Sequence, residues 1–238
     1  MTFRTSQSQS RERYLAMCNA GEASKYDTWI DAMDRADHDA CVADLEGYVR
    51  FSGDMAVLDV GSGTGALCLA LVRVPGLDIT ALEPSQPMIA LLRAKSELSD
   101  VTTVQGFCDH SDDASLFCSG TFNLIASRLL VNNLFDPLAA FRNWNDWLRP
   151  GGCVVIMDGL FDRCDWTGDW AEFVDELPLS ACRTIATVPY LLEQVGLVVE
   201  HVGMMDHTNA MPSTRTKRYM VVARKPEEEQ SMHPSRAV

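Results

Sequence analysis

Short apolar runs, each closed by glycine, proline or an acid, recur along the chain and alternate with longer stretches of helical spacing. Met55-Ala56-Val57-Leu58 opens the first run and Gly61-x-Gly63-x-Gly65 closes it. Leu77 to Leu82 alternates and stops at Glu83-Pro84. Val101–Val104, Phe122–Ser127, Cys153–Met157, Leu197–Met205 and Tyr219–Ala223 supply five more runs, which predicts seven strands. Between them, Ala66–Val72 is apolar enough for a buried helix. Ser85 caps a second helix carrying Met88, Ile89, Leu91 and Leu92. Asp136-Pro137 starts a third through Phe141, Trp144 and Trp147 to Leu148, and Thr187 to Gly196 gives a fourth. Strands alternating with helices predict a doubly wound α/β sheet. Upstream, three helical segments are expected: Ser10–Asn19, broken by Gly21; Ala23–Ile30; and one after Asp37 with Val42, Leu45 and Val49 on one side.

The organisation follows from this pattern. Residues 1–52 form an N-terminal helical cover, loose over about the first ten residues. Residues 53–224 form the α/β domain, with an irregular substrate-covering insertion at about 159–186. Residues 225–238 form a polar tail expected to be disordered. Asp206 to Arg215, between the last two strands, is long for a hairpin.

The glycine turn carries the chemistry. A strand, a glycine turn and a helix aim backbone N–H groups at a ligand, and glycine lets the ligand lie against the backbone. Gly61-x-Gly63-x-x-Ala66 fits a loose dinucleotide fingerprint, with Glu83 where a ribose-binding acid would sit. Asp59, two residues before the first glycine, and the third glycine at 65 fit a zwitterionic nucleoside better, because an acid repels pyrophosphate. Glu83 at a strand's carboxyl tip can accept both ribose hydroxyls, or can simply complement a helix N-terminus.

Val57-Leu58-Asp59-Val60-Gly61-Ser62-Gly63-Thr64-Gly65 resembles motif I of the class I S-adenosylmethionine (SAM) dependent methyltransferases. Leu148-Arg149-Pro150-Gly151-Gly152 before an apolar strand is a second resemblance, and together they cover roughly residues 23–224. The resemblance implies a seven-stranded, mostly parallel sheet with an antiparallel final strand, SAM as cofactor and S-adenosylhomocysteine (SAH) as product. It implies a cofactor site from Asp59, Gly61, Ser62, Gly63, Gly65, Glu83 and Pro84, with Met88 against adenine and Ser127 at the end of the fourth strand. Tyr26 lies in a Tyr-Asp-x-Trp segment that resembles one folding over bound SAM in small-molecule methyltransferases. The family's Gly-Asp-Ala reads Gly106-Phe107-Cys108-Asp109 here, so Asp109 and the Cys108 N–H are the adenine candidates.

For the acceptor, Arg128 just past the fourth strand would clamp a carboxylate or phosphate, with Trp29, Trp166 and Trp170 as apolar walls. His207 and Asp158 are the candidate proton acceptors. The reaction expected is methyl transfer to a small molecule; a nicotinamide-dependent oxidoreductase and a SAM-binding protein without turnover are the alternatives.

Composition narrows the partners. The 238 residues carry 20 basic and 33 acidic side chains, a net charge of −13. Such a surface repels nucleic-acid backbones, and no basic run or amphipathic basic helix suggests a membrane surface. The eight cysteines show no paired spacing, so no metal site is expected; they read as small buried apolar residues in a reducing compartment. Without a secretory leader or a run of about 18 apolar residues, the chain reads as a cytoplasmic monomer or homodimer.

Overall fold

The structure, a computed structural model, describes residues 6–227. Three helices precede the sheet: α1 (Gln7–Met17), α2 (Ala20–Asp31) and α3 (Arg35–Glu46). Each starts at a side chain that accepts backbone N–H groups: Ser6 from Gln9, Asn19 from Gly21 and Glu22, and Asp34 from Asp37. These caps, and not apolar spacing, set the boundaries. α1 therefore begins within the first ten residues, which were expected to be loose, and Gly21 sits in the first turn of α2 instead of breaking a helix. Residues 1–5 lie outside the described residues.

The α/β domain follows as β1 (Met55–Val60), α4 (Ala66–Leu71), β2 (Leu77–Glu83), α5 (Gln86–Ala94), β3 (Thr102–Gln105), β4 (Phe122–Arg128), α6 (Pro137–Trp147) and β5 (Leu148–Gly159). Then come α7 (Trp170–Phe173), α8 (Thr187–Gln194), β6 (Val198–Met204), α9 (Asp206–Ala210) and β7 (Arg218–Arg224). The sheet has seven strands in the order β3-β2-β1-β4-β5-β7-β6. β1 to β5 pair in parallel, and β7 runs antiparallel between β5 and β6. The order reverses between β1 and β4, which opens a crevice at the strands' carboxyl ends.

Alternate strand residues feed two cores. Val57, Leu124, Val155 and Val222 pack with Leu45, Leu67 and Leu71 on one face. Leu58, Ile125, Val154 and Val221 pack with Phe141, Trp144 and Trp147 on the other. The last three rings are fully buried, each worth about 2–3 kcal/mol in surface removed from water.

The register brings Val60, Glu83, Arg128 and Gly159 to one edge of the sheet. Because β7 is antiparallel, its first residue, Arg218, pairs with Gly159 at that same edge. Two segments differ from the pattern-based reading. Asp206–Ala210 is a helix, because the buried Asp44 carboxylate of α3 accepts the N–H groups of His207 (3.0 Å) and Thr208 (2.8 Å). Lys225, placed in the polar tail, is anchored: its ammonium donates to the carbonyls of Asn145 and Leu148, at the end of α6. Residues 228–238 of that tail lie outside the described residues.

Five cysteines are buried as expected, but Cys118 and Cys164 are exposed and Cys182 is half-buried. Among the described residues no group of histidine, cysteine and acid side chains could hold a metal, and no helix is long and apolar enough to cross a membrane.

Candidate cofactor and acceptor site

Gly61, Gly63 and Gly65 all adopt positive φ, at 68°, 54° and 98°. Their roles differ. A Cβ on Gly65 would stand 2.5 Å from Leu98 Cδ1 and one on Gly61 2.6 Å from Leu130 Cδ1, whereas one on Gly63 meets nothing nearer than Tyr26 Cε1 at 3.5 Å. Gly65 is thus needed for packing beneath the turn, and Gly63 keeps open space above it.

The N–H groups expected to face a ligand are largely taken by the protein. Gly61 and Ser62 donate to the Leu82 carbonyl, at 2.8 and 3.1 Å. Gly63 donates to Glu83 Oε2 at 3.0 Å, and Ser85 N–H donates to Glu83 Oε1 at 2.9 Å. Glu83 therefore braces the turn from the next strand while keeping a spare lone pair on each oxygen. Its carboxyl is pushed up to about 7 by burial, which the two N–H bonds only partly oppose.

A cavity of about 200 Å³ lies over this turn. Tyr26, Gly61, Gly63, Glu83, Pro84, Met88, Cys108 and Asp109 line it, as do Arg128, Trp166 and Trp170. The other expected cofactor residues do not border it. Asp59 is 1% exposed and accepts the Cys68 thiol at 3.1 Å; burial holds its carboxyl at about 6. Ser62 and Ser127 have buried hydroxyls without partners, and Gly65 sits below, against Leu98.

α1 closes the outer side of this cavity. Arg11 donates to Asp109 Oδ1 at 2.6 Å and to Asp113, while Asp109 Oδ2 accepts the Phe135 N–H at 2.7 Å. Asp109, expected to receive an adenine amino group, lines the cavity and also holds the helix and the Phe135 loop. Asp113, which also accepts the His110 N–H, is half of that latch. Ser10 and Arg13 bind Glu176 at 3.0 and 2.7 Å, tying α1 to the 159–186 segment. Tyr14 packs edge-on against Phe107, Phe135 and Trp170. Arg11 was not singled out in the sequence, because its partners lie about a hundred residues away.

A second cavity, of about 280 Å³, opens on the other side of Arg128. Trp29, Met33, Asp37, Met157, Thr208, Met211 and Arg218 are in its wall. The residues expected to surround an acceptor are therefore divided. Trp29 borders the second cavity, Trp166 and Trp170 the first, and Arg128 both. Trp166 is fixed by donating its indole N–H to the Ser180 carbonyl at 3.0 Å.

The two candidate proton acceptors border neither cavity. His207 is exposed on α9, held there by the Asp44 contact to its backbone. Asp158 is buried; its Oδ1 accepts Asn132 Nδ2 and the Gly159 N–H, both at 2.7 Å, and its Oδ2 accepts the Asn132 N–H at 3.4 Å. That carboxylate pins the turn after β4, and burial raises it to about 6.

Residues 34–202 match the family described as "Methyltransferase domain". The chain belongs to the class I SAM-dependent methyltransferases. It is 27% identical over 107 residues to a demethylmenaquinone methyltransferase of Chlorobaculum tepidum, covering 45% of this chain and 42% of that one. It is 30% identical over 100 residues to a ubiquinone biosynthesis O-methyltransferase of Xanthomonas campestris, covering 42% and 41%. The matched region thus spans less than half the length of these relatives. A SAM-dependent methyltransferase structure from Aquifex aeolicus shares the fold at a TM-score of 0.63, with 17% identity, over 87% of this chain and 98% of that one.

The first cavity fits the cofactor this methyltransferase implies. A carboxylate with spare lone pairs suits ribose hydroxyls, and the open space above Gly63 admits a ligand against the backbone. A pyrophosphate fits poorly: Glu83 and Asp109 are in the wall, Arg128 is the one basic residue lining it among the described residues, and the glycine N–H groups are occupied.

Proposed function

We propose that this methyltransferase carries a methyl group from SAM to a small-molecule acceptor, with the nucleoside in the first cavity and the acceptor in the second. The observation that carries this reading is the shared wall: Arg128 borders both cavities, at the carboxyl edge of β4, beside the glycine turn. SAM supplies an electrophilic methyl on a sulfonium when bound. Glu83 would accept the ribose hydroxyls, Pro84 and Met88 would border the base, and Tyr26 and Trp29 on α2 would exclude water from between the two cavities. One relative named above takes its name from demethylmenaquinone and the other from ubiquinone biosynthesis, neither a nucleic acid, and the net charge of −13 argues against a nucleic-acid acceptor here. A soluble, cytoplasmic protein accords with the same composition. The reading assigns no proton acceptor, since His207 and Asp158 border neither cavity.

The test is transfer from SAM labelled in its methyl group, with a deproteinised metabolite extract as acceptor. Label moving into the small-molecule fraction is expected. Label that moves only into added RNA, DNA or protein contradicts the acceptor class, and bound SAM with no transfer to any of them points to the binding protein without turnover.

A further inference from the structure

Three hydrogen-bond donors in or beside the second cavity are buried and unpartnered: Arg128 Nη1, Arg218 Nη1 and the Thr208 hydroxyl. Arg218 is only 8% exposed. Among the described residues neither arginine forms an ion pair with a carboxylate. Arg128 Nη2 reaches the Met33 thioether at 3.7 Å, and Arg218 stacks over the Phe161 ring at 5.9 Å. One acid, Asp37, is also in the wall; its oxygens accept the Asp34 N–H and the Ser213 hydroxyl, and it forms no ion pair with either arginine. Arg215, exposed at the rim, adds a third positive charge.

Two guanidinium groups sharing one buried wall, neither paired with a carboxylate, repel each other and lose hydration. The strain is visible in Arg218, pulled down to about 10 first by burial and next by the Arg128 charge, with Asp158 and Tyr26 only partly opposing. An oxyanion resolves all three deficits. It accepts paired hydrogen bonds from guanidinium forks and one from a hydroxyl, and it neutralises the local charge. The remainder of the wall is different in character. Trp29 and the thioethers of Met33, Met157, Met205 and Met211 make a soft apolar surface that accommodates an apolar body.

We propose that the second cavity binds an amphipathic anion, its carboxylate or phosphate head held by Arg128, Arg218 and the Thr208 hydroxyl and its apolar body against the methionine wall. This deepens the acceptor reading above and rests on it. The rival occupant is the cofactor's own methionine carboxylate, which could meet Arg128 from the first cavity. Arg218 borders only the second cavity, so it separates the two.

The experiment titrates the whole protein, saturated with SAH, with octanoate, octyl phosphate, octanol and octylamine as probes. Octanoate and octyl phosphate are expected to bind at least tenfold more tightly than octanol or octylamine. Arg218→Met should weaken octanoate at least tenfold, leave SAH affinity within twofold, and unfold at a temperature no lower than the parent, since it removes an unpaired buried charge. Arg218→Lys should retain part of the octanoate affinity. Octanol binding as tightly as octanoate, or Arg218→Met binding octanoate like the parent, overturns the anion site while leaving the cofactor reading intact. A lower unfolding temperature in Arg218→Met with octanoate affinity unchanged shows a structural arginine and also overturns it. Failure of SAH to bind the parent protein overturns the underlying reading instead.

Discussion

Replacing Glu83 with alanine is expected to weaken SAH binding about 10- to 100-fold, the effect of losing about 1.5–3 kcal/mol of hydrogen bonds to a charged group. The loss has two sources: the ribose acceptor disappears, and the Gly63 and Ser85 N–H groups lose the carboxylate that fixes the turn. Glu83→Gln separates them, since its amide oxygen can still accept one N–H. The pH dependence gives a further check. In the free protein the carboxyl is raised to about 7, and on the proposed reading ribose hydroxyls would donate to its ionised form. SAH affinity should therefore rise with pH through about 7, approaching tenfold per unit below that value, and level off above it. Glu83→Gln should flatten the profile. An alanine variant with unchanged SAH affinity by calorimetry would remove Glu83 from the cofactor site.

The second large effect lies at two glycines with opposite outcomes. Gly63→Val should abolish measurable SAH binding, more than about 100-fold, because its side chain fills the space over the turn. Its cost in stability is confined to the strained φ of 54°, about 1–3 kcal/mol. Gly65→Val should instead unfold the protein or lower its stability severely. Its Cβ would sit 2.5 Å from Leu98 Cδ1 and 3.2 Å from Leu92 Cγ at a φ of 98°, an overpacked site with backbone strain added. Paired calorimetry and thermal unfolding read both. A Gly63→Val protein that still binds SAH would show that the cavity over the turn is not the nucleoside site.

These two glycines look identical in the sequence, and this marks the limit of what was legible. Local patterns carried the sheet: apolar runs closed by Gly, Pro or acid located the strands to within a few residues, and the Ser85 and Asp136 caps placed α5 and α6. The exception was β5, which begins at Leu148 where the helix was read as ending. Glu83 was legible because a lone acid at a strand tip stands out.

What was missed depends on long-range pairing. The placement of α1 rests on Arg11, Ser10 and Arg13 reaching residues far along the chain, and on Tyr14 against Phe107, Phe135 and Trp170. His207 looked like a candidate base because of its side chain, but the Asp44 contact to its backbone leaves it facing solvent. Arg218 carried a readable signal that went unused. A basic residue at the first position of an antiparallel final strand must lie at the edge where the parallel strands end, and that edge holds the site. The division of the aromatic residues between two cavities had no local signal at all.

The claim on which everything else rests is that the cavity over Gly63 holds a SAM-type nucleoside. Titrating the purified protein with SAH and, separately, with NADH addresses it. One saturable SAH site per chain, with no heat from NADH, is the expected result; saturable NADH binding with no SAH binding would contradict it.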